Sequence, residues 1–278
     1  MIRKIVAIVT AIGALNGFTC TEDGVEGIVP ENNLYISPSE KSTNGMTEAL
    51  FNEVIDKVEA IYEPIIDKMG AKLSIARKWN DGTVNAYAQR SGRTWRVSMF
   101  GGLARHEAIT PDGFALVVCH EVGHTLGLRH NFKASSLYTM EEINSVDMSG
   151  KKPFTASVMD YNPVNFNMGT GDVQGDFAMI GVGLYDIWAI EYGYTFGKED
   201  DVLKRSNEPE NAYLTDEDTS GPDPLAKRYD FSKDPLTYAR NQMRIVEKLR
   251  EDLLTSYVED GDSWSKARRG YETTLRMQ

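Results

Sequence analysis

Residues 120–130 read His-Glu-Val-Gly-His-Thr-Leu-Gly-Leu-Arg-His, and this segment constrains the chain more than any other. Histidines four positions apart leave the same face of a helix, so His120 and His124 are predicted to bind one ion together. Gly127 permits a left-handed conformation that a Cβ would oppose, which ends the helix and lets the chain turn back. The turn is predicted to bring His130 to the ion as a third ligand.

The predicted ligand set indicates both the metal and the kind of site. Imidazole nitrogens suit zinc, and three of them leave a fourth position for water, which is typical of catalytic rather than structural zinc. Glu121 follows the first ligand directly and is predicted to reach that water as a general base. The residues therefore favour a zinc-dependent hydrolase with Zn²⁺ as its cofactor.

A second segment, Ser157-Val158-Met159-Asp160-Tyr161, lies downstream. Together with the histidine segment it resembles the metzincin superfamily of zinc metallopeptidases. The resemblance implies that Met159 forms a hydrophobic floor beneath the zinc without binding it. It also implies that Tyr161 binds the metal or donates to the oxyanion, while Glu121 activates a zinc-bound water to hydrolyse peptide bonds. Metzincins bind their substrate as an extended strand beside an edge strand, and Thr94–Met99 is the candidate here, with a plain sheet strand as the open alternative.

A closer resemblance covers residues 119–255 and points to a bacterial met-zincin family that includes the Ecx-type toxin protease. Members of that family are exported, and many are large envelope proteins. The matching runs are His130–Ser135, Ser157–Tyr161, Leu184–Ile190, Thr215–Asp218 and Gly221–Pro224.

Two alternatives to the three-histidine peptidase remain open. One is a thermolysin-like arrangement in which Glu141 or Glu142 replaces His130 as the third ligand; Gly127 and the methionine segment argue against it. The other is a non-catalytic zinc-binding surface protein on a peptidase scaffold, against which the intact Glu121 argues.

Charge and cysteine content restrict the partners. The 278 residues include 30 Lys and Arg against 41 Asp and Glu, a net charge of -11, which disfavours nucleic acid and anionic membrane surfaces. The predicted partner is a protein or peptide substrate, and the sequence makes no prediction about oligomeric state. Two cysteines, Cys20 and Cys119, are too few for a disulfide framework or a cysteine-rich zinc site.

The N-terminus is predicted to be a signal peptide over residues 1–20. Arg3 and Lys4 precede an apolar run, Ile5–Leu15, that is too short to span a bilayer as a helix. Two processing routes remain open: ordinary cleavage, or lipidation of Cys20, which would provide a membrane tether. Either route predicts an extracytoplasmic protein that is secreted, periplasmic or a lipoprotein of the cell envelope.

The remaining chain predicts an α/β (α+β) metzincin-like fold. It consists of a twisted mixed sheet with a backing helix, an active-site helix, and an irregular helical C-terminal subdomain beginning after Gly127. Residues 21–45 are predicted to be a tether, residues 46–197 the catalytic domain and residues 198–278 a helical extension. The predicted elements are helices at Thr47–Lys68, Thr110–Gly127, Leu184–Tyr192, Pro235–Leu254 and Trp264–Leu275, and strands at Leu73–Ala76, Val84–Ala88 and Thr94–Met99. The first helix is predicted to be amphipathic, with an apolar stripe at Leu50, Val54, Val58, Ile61 and Ile65. The segment Arg90–Arg93 is predicted to be the turn of a hairpin between the last two strands. The Met99–Gly102 run is interpreted as a turn, His106 as a surface residue, and Asp216–Asp218 as solvated surface with calcium binding as the alternative.

Overall fold

A computed structural model describes residues 36–39, 42, 44–68, 70–106, 109–195 and 197–277. The predicted signal peptide, Cys20 and the first part of the predicted tether lie outside these residues. The chain divides into two compact units, of which the N-terminal one ends at Arg129 and the C-terminal one begins at His130. The division falls close to Gly127, after which the irregular subdomain was predicted to begin, whereas the predicted domain boundary at residue 197 stays a prediction.

The N-terminal unit contains a three-stranded mixed sheet. Its strands are β1 (Lys72–Lys78), β2 (Ala86–Ser91) and β3 (Thr94–Phe100), in the spatial order β1-β3-β2. Strand β1 runs parallel to β3 with Ile75 opposite Val97, and β2 runs antiparallel to β3 with Ala88 opposite Val97. The mixed sheet agrees with the predicted fold class.

The order of the strands corrects the prediction for the substrate-binding edge. Strand β3, predicted as Thr94–Met99, pairs with a strand on each side and therefore has no edge left for an extended peptide. Strands β1 and β2 border the described sheet instead. The error arose because the β1–β3 pairing joins segments that are not consecutive, and local patterns do not report such a pairing.

The described part of this unit also contains the helices α1 (Glu48–Lys68), α2 (Gly101–Arg105) and α3 (Pro111–Thr125). Helix α1 has the predicted extent, but its buried stripe is offset from the predicted one. The predicted stripe included Ile61, which is 62% exposed, whereas the neighbouring Tyr62 is buried. The buried positions are Phe51, Ile55, Val58, Tyr62 and Ile66.

Helix α2 replaces the turn that was predicted from Gly101-Gly102. A Cβ on Gly101 would lie 1.9 Å from the carbonyl oxygen of Trp79, and one on Gly102 would lie 2.1 Å from that of Gly82. The two glycines therefore permit a close approach of backbones, not a turn. His106 follows this helix and is buried, which corrects its interpretation as a surface residue.

The end of the predicted tether contacts the N-terminal unit. Ile36 donates its N–H to Gly82 at 2.7 Å and accepts from the buried Arg105 at 3.2 Å. The Asn44 amide donates to three carbonyl groups, those of Ala104, His106 and Ile109. These contacts attach Ile36 and Asn44 to residues that precede α3 in the chain.

The C-terminal unit is helical and irregular, as predicted, and its described residues contain no strand. No helix in the described part of either unit is long and apolar enough to cross a membrane. The helices of the C-terminal unit are α4 (Met140–Ile143), α5 (Leu184–Tyr194), α6 (Glu199–Leu203), α7 (Pro235–Glu251) and α8 (Trp264–Arg276), with 3₁₀ turns at Ala134–Ser136, Pro209–Asn211 and Asp216–Ser220 and a π turn at Leu253–Tyr257.

Candidate metal centre

Helix α3 carries the first part of the histidine segment and is capped at both ends. At its start, the Thr110 hydroxyl accepts from the N–H of Gly113 at 3.0 Å, with Pro111 in the first turn. At its end, Gly127 has a φ of 90°. The N–H groups of Gly127 and Leu128 donate to the carbonyls of His124 and Gly123, the pattern of a Schellman cap. The predicted stop at Gly127 is thus confirmed.

The two histidines of α3 bring their Nε2 atoms close together, as two ligands of one metal ion would be. The Nε2 atoms of His120 and His124 are 3.0 Å apart. Two ligands of a tetrahedral zinc ion with bonds of roughly 2.0–2.1 Å are about 3.3 Å apart, so this pair is close to a metal-binding geometry. His124 Nδ1 donates to the carbonyl of Leu128 at 2.9 Å, which leaves the lone pair on Nε2 for a metal.

His130 is buried, with 2% of its surface exposed, and both of its nitrogens have specific neighbours. Nδ1 donates to Asp216 Oδ2 at 2.8 Å, and Nε2 lies 2.8 Å from the hydroxyl of Tyr161. The Tyr161 and Phe132 rings contact the imidazole, with centroids 4.7 and 5.3 Å away. His130 therefore has Nδ1 hydrogen-bonded to a carboxylate, and its Nε2 carries the lone pair and faces the Tyr161 hydroxyl.

One nitrogen from each of His120, His124 and His130 lies within 4.8 Å of the others. Across the residues that the structure describes, this is the group of metal-ligand side chains that could hold an ion together. Three neutral imidazoles fit zinc by their chemistry. The alternative ligands Glu141 and Glu142 are exposed residues of α4. The Glu142 carboxylate accepts a hydrogen bond from the Thr139 N–H.

Glu121 follows the first predicted ligand in the sequence. It is buried, with 2% of its surface exposed. One carboxylate oxygen accepts from the backbone N–H of Ala88 in β2, whereas Oε2 has no hydrogen-bond partner among the described residues. Burial raises the pKa of Glu121 to about 8, and the Ala88 bond opposes this more weakly. A cation nearby would favour the ionised carboxylate again.

A backbone hydrogen bond joins the methionine segment to the residue that follows the histidine segment. Met159 is fully buried, and its carbonyl accepts from the N–H of Asn131 at 3.1 Å. Its own N–H donates to the Ser157 hydroxyl at 2.9 Å. The segment is thus a closed turn beside His130, while the role of Met159 as a floor beneath the metal stays a prediction.

Asp186, in the first turn of α5, supports the methionine turn. Its carboxylate accepts from the Ser157 hydroxyl and from the N–H groups of Val158 and Gly183, the latter two at 2.8 Å each. These bonds favour the ionised form, but burial has the larger effect and raises the pKa of Asp186 to about 6. The methionine turn is therefore hydrogen-bonded to a carboxyl group whose pKa is raised by burial.

This pKa predicts a specific dependence of stability on pH. The value in the folded chain, about 6, exceeds the ordinary 3.8, so stability from Asp186 is full below about pH 4 and is lost as the pH rises through 6. Relative to Asp186→Asn, whose amide can keep the hydrogen bonds, the wild-type free energy of unfolding should fall by about 2 kcal/mol between pH 4 and pH 7. Urea denaturation of both chains at each pH measures this. A difference that is the same at pH 4 and pH 7 would contradict the prediction.

Asp186 and Asp216 are site residues that sequence reasoning did not assign. Asp216 belongs to an acidic run interpreted as solvated surface, yet it contacts a histidine 86 positions away. Spacing along the chain carries no signal for such a contact. The one available signal was that both residues fall in runs that resemble the met-zincin family.

Comparison with known proteins agrees with this geometry. The model of the Met-zincin family matches residues 104–278, which is more than half of the chain and includes the whole histidine segment. No curated protein gives a significant match, and no solved structure does so either.

Proposed function

Because this chain belongs to the Met-zincin family, we propose that it is a zinc-dependent endopeptidase. The observation that carries the proposal is the convergence of His120, His124 and His130, with a buried glutamate that follows the first of them. The three Nε2 atoms would hold the zinc ion, which in such sites acts as a Lewis acid on the substrate carbonyl and lowers the pKa of water.

Glu121 would move the proton in this reaction. Its Oε2 is the buried oxygen that lacks a hydrogen-bond partner among the described residues, so it can accept a proton from the attacking water. The same oxygen can then deliver that proton to the leaving amine. The other oxygen, bonded to Ala88, keeps the carboxylate in place during the transfer.

Tyr161 would stabilise the negative charge that develops on the substrate oxygen. Its hydroxyl lies 2.8 Å from Nε2 of His130, the nitrogen that would bind the metal. A donor at that position can reach an oxygen bound beside the ligand.

The extended substrate would lie beside β2 and not beside the predicted Thr94–Met99 strand. Strand β2 borders the described sheet, and its Ala88 donates to the catalytic candidate Glu121. A peptide that adds to this border by backbone hydrogen bonds would pass close to the proposed base.

We also propose that the chain is exported, on the basis of its N-terminal sequence. The basic residues Arg3 and Lys4 followed by the apolar run Ile5–Leu15 support a signal peptide. Lipidation at Cys20 is the alternative to plain cleavage. Labelling with a radioactive fatty acid in the producing cell distinguishes them, because only lipidation would label the wild type and leave Cys20→Ser unlabelled.

The direct test of the proposal is cleavage of a quenched peptide library by the zinc-loaded chain. We expect cleavage to stop when a chelator removes the zinc and to return when zinc is added back. In the same assay, Tyr161→Phe should keep its zinc and lose about 100-fold in kcat, because one oxyanion donor is removed. Cleavage that survives complete removal of zinc would reject the proposal.

A further inference from the structure

We propose that Asp216, held by Arg228, is a positioning residue that fixes the orientation of His130 at the metal site. The inference rests on the proposed zinc site but not on peptidase activity. It assigns a role to the 3₁₀ turn Asp216–Ser220, which lies far from the histidine segment in sequence.

The contact between the two side chains determines which nitrogen of His130 faces a metal. Asp216 Oδ2 lies 2.8 Å from Nδ1, and a carboxylate can only accept, so the proton is on Nδ1. The lone pair is then on Nε2, next to the Tyr161 hydroxyl. A histidine whose second nitrogen donates to a carboxylate is held in one tautomer and one ring orientation, and it becomes a more basic ligand.

Asp216 is itself held at both oxygens and along its backbone. Its second oxygen, Oδ1, accepts from Arg228 at 2.7 Å. The 3₁₀ turn is capped by Asp218, whose carboxylate accepts from the Thr215 N–H at 2.8 Å. The Asp216 carbonyl accepts from the Thr219 hydroxyl at 2.8 Å. The acidic run therefore uses Asp216 and Asp218 in specific contacts and is not simply a solvated face.

Arg228 contacts two residues that both contact His130, namely Asp216 and Phe132. Its guanidinium lies over the ring of Phe132, 4.9 Å from the centroid, and that ring contacts His130. Next to it, Tyr229 donates its N–H to the Tyr161 carbonyl at 3.0 Å, and the two tyrosine rings stack. Arg228 thus holds the Asp216 carboxylate by a hydrogen bond and packs against Phe132, which also packs against His130.

The backbone holds this segment against the residues that follow His130. Phe132 donates its N–H to the Leu214 carbonyl at 2.7 Å, and Leu214 donates its N–H to the Asn131 side chain at 3.3 Å. The Asn131 amide donates to the Ala212 carbonyl at 3.0 Å. Since residues 212–216 and 130–132 are joined in this way, a change at Asp216 should act on His130 directly.

The test is zinc affinity, measured by competition with a chromophoric chelator on wild type, Asp216→Asn and Asp223→Asn. Asp223 is the matched control because it pairs with Lys133 at 2.6 Å in the same part of the unit, and its carboxylate is not the one bonded to His130. We expect zinc affinity to fall 10–100-fold in Asp216→Asn, the range typical for outer partners of metal ligands, and to stay within twofold in Asp223→Asn.

A second readout distinguishes positioning from general stability. With cobalt in place of zinc, the visible absorption bands should shift in Asp216→Asn but not in Asp223→Asn, while the metal-free chains unfold at similar temperatures. If Asp216→Asn does not fold, Arg228→Lys provides the same comparison, because it keeps the positive charge but loses the planar guanidinium donors. We expect it to lose less zinc affinity than Asp216→Asn.

Unchanged zinc affinity and an unchanged cobalt spectrum in Asp216→Asn would overturn the inference even if the wild type cleaves peptides. Reduced affinity in a chain that cleaves no peptide would support the inference and remove the proposed function. A wild-type chain that binds no zinc would overturn both.

Discussion

Glu121→Gln is expected to lower kcat by about 10²–10⁴-fold while the chain keeps one zinc ion, because glutamine cannot take a proton from water. The amide oxygen can still accept from Ala88, so the buried side chain should keep its place. Zinc content by atomic absorption and cleavage of the quenched peptides, measured on the same preparation, give the two numbers that the prediction compares.

Glu141→Gln is the matched control for this substitution. Glu141 is exposed on α4, so the three-histidine site predicts that Glu141→Gln keeps both its zinc and its activity, whereas Glu141 as the third ligand predicts a loss of zinc. If Glu121→Gln cleaved the peptides as fast as the wild type, Glu121 could not be the general base. A wild-type chain that binds zinc but cleaves no peptide in the library would favour the non-catalytic zinc-binding protein.

His130→Ala is expected to reduce zinc affinity by more than 100-fold, which exceeds the 10–100-fold typical of outer partners, because a ligand itself is lost. The substitution also removes a buried partner from Asp216 and Tyr161. We therefore expect the metal-free chain to lose about 1–3 kcal/mol of unfolding free energy as well. Chelator competition and urea denaturation measure the two effects separately.

The control for the ligand is His106→Asn, since His106 is the histidine of this chain that does not belong to the cluster. It is buried, so the control also reports the cost of changing a buried histidine. It should keep its zinc. Undiminished zinc binding by His130→Ala would reject the three-histidine site and favour Glu141 or Glu142 as the third ligand.

Local patterns predicted the elements of the fold better than their arrangement. The period of apolar residues placed helix α1 to within one residue, and the residues around Gly92 indicated the hairpin of β2 and β3. The buried stripe of α1 was misplaced at Ile61, because apolar residues occupy more of the helix surface than the core can cover. Only packing decides which of them face inward.

The order of the strands could not be read from the sequence. A hairpin joins neighbours in the chain, and its turn residues report it. The parallel pairing of β1 with β3 joins segments separated by β2, and no residue between them specifies it. That pairing placed β3 in the centre of the sheet and made β2, whose Ala88 contacts Glu121, the proposed substrate border.

The sequence by itself determined which histidines of α3 share one face, and it placed the proposed base between them. His120 and His124 face one way because a helix repeats every 3.6 residues, and Gly127 ends that helix because only glycine takes its φ without strain. The tertiary structure alone decided that Asp216 contacts His130. That contact spans 86 residues, and it depends on the path of the whole intervening chain, which no local spacing records.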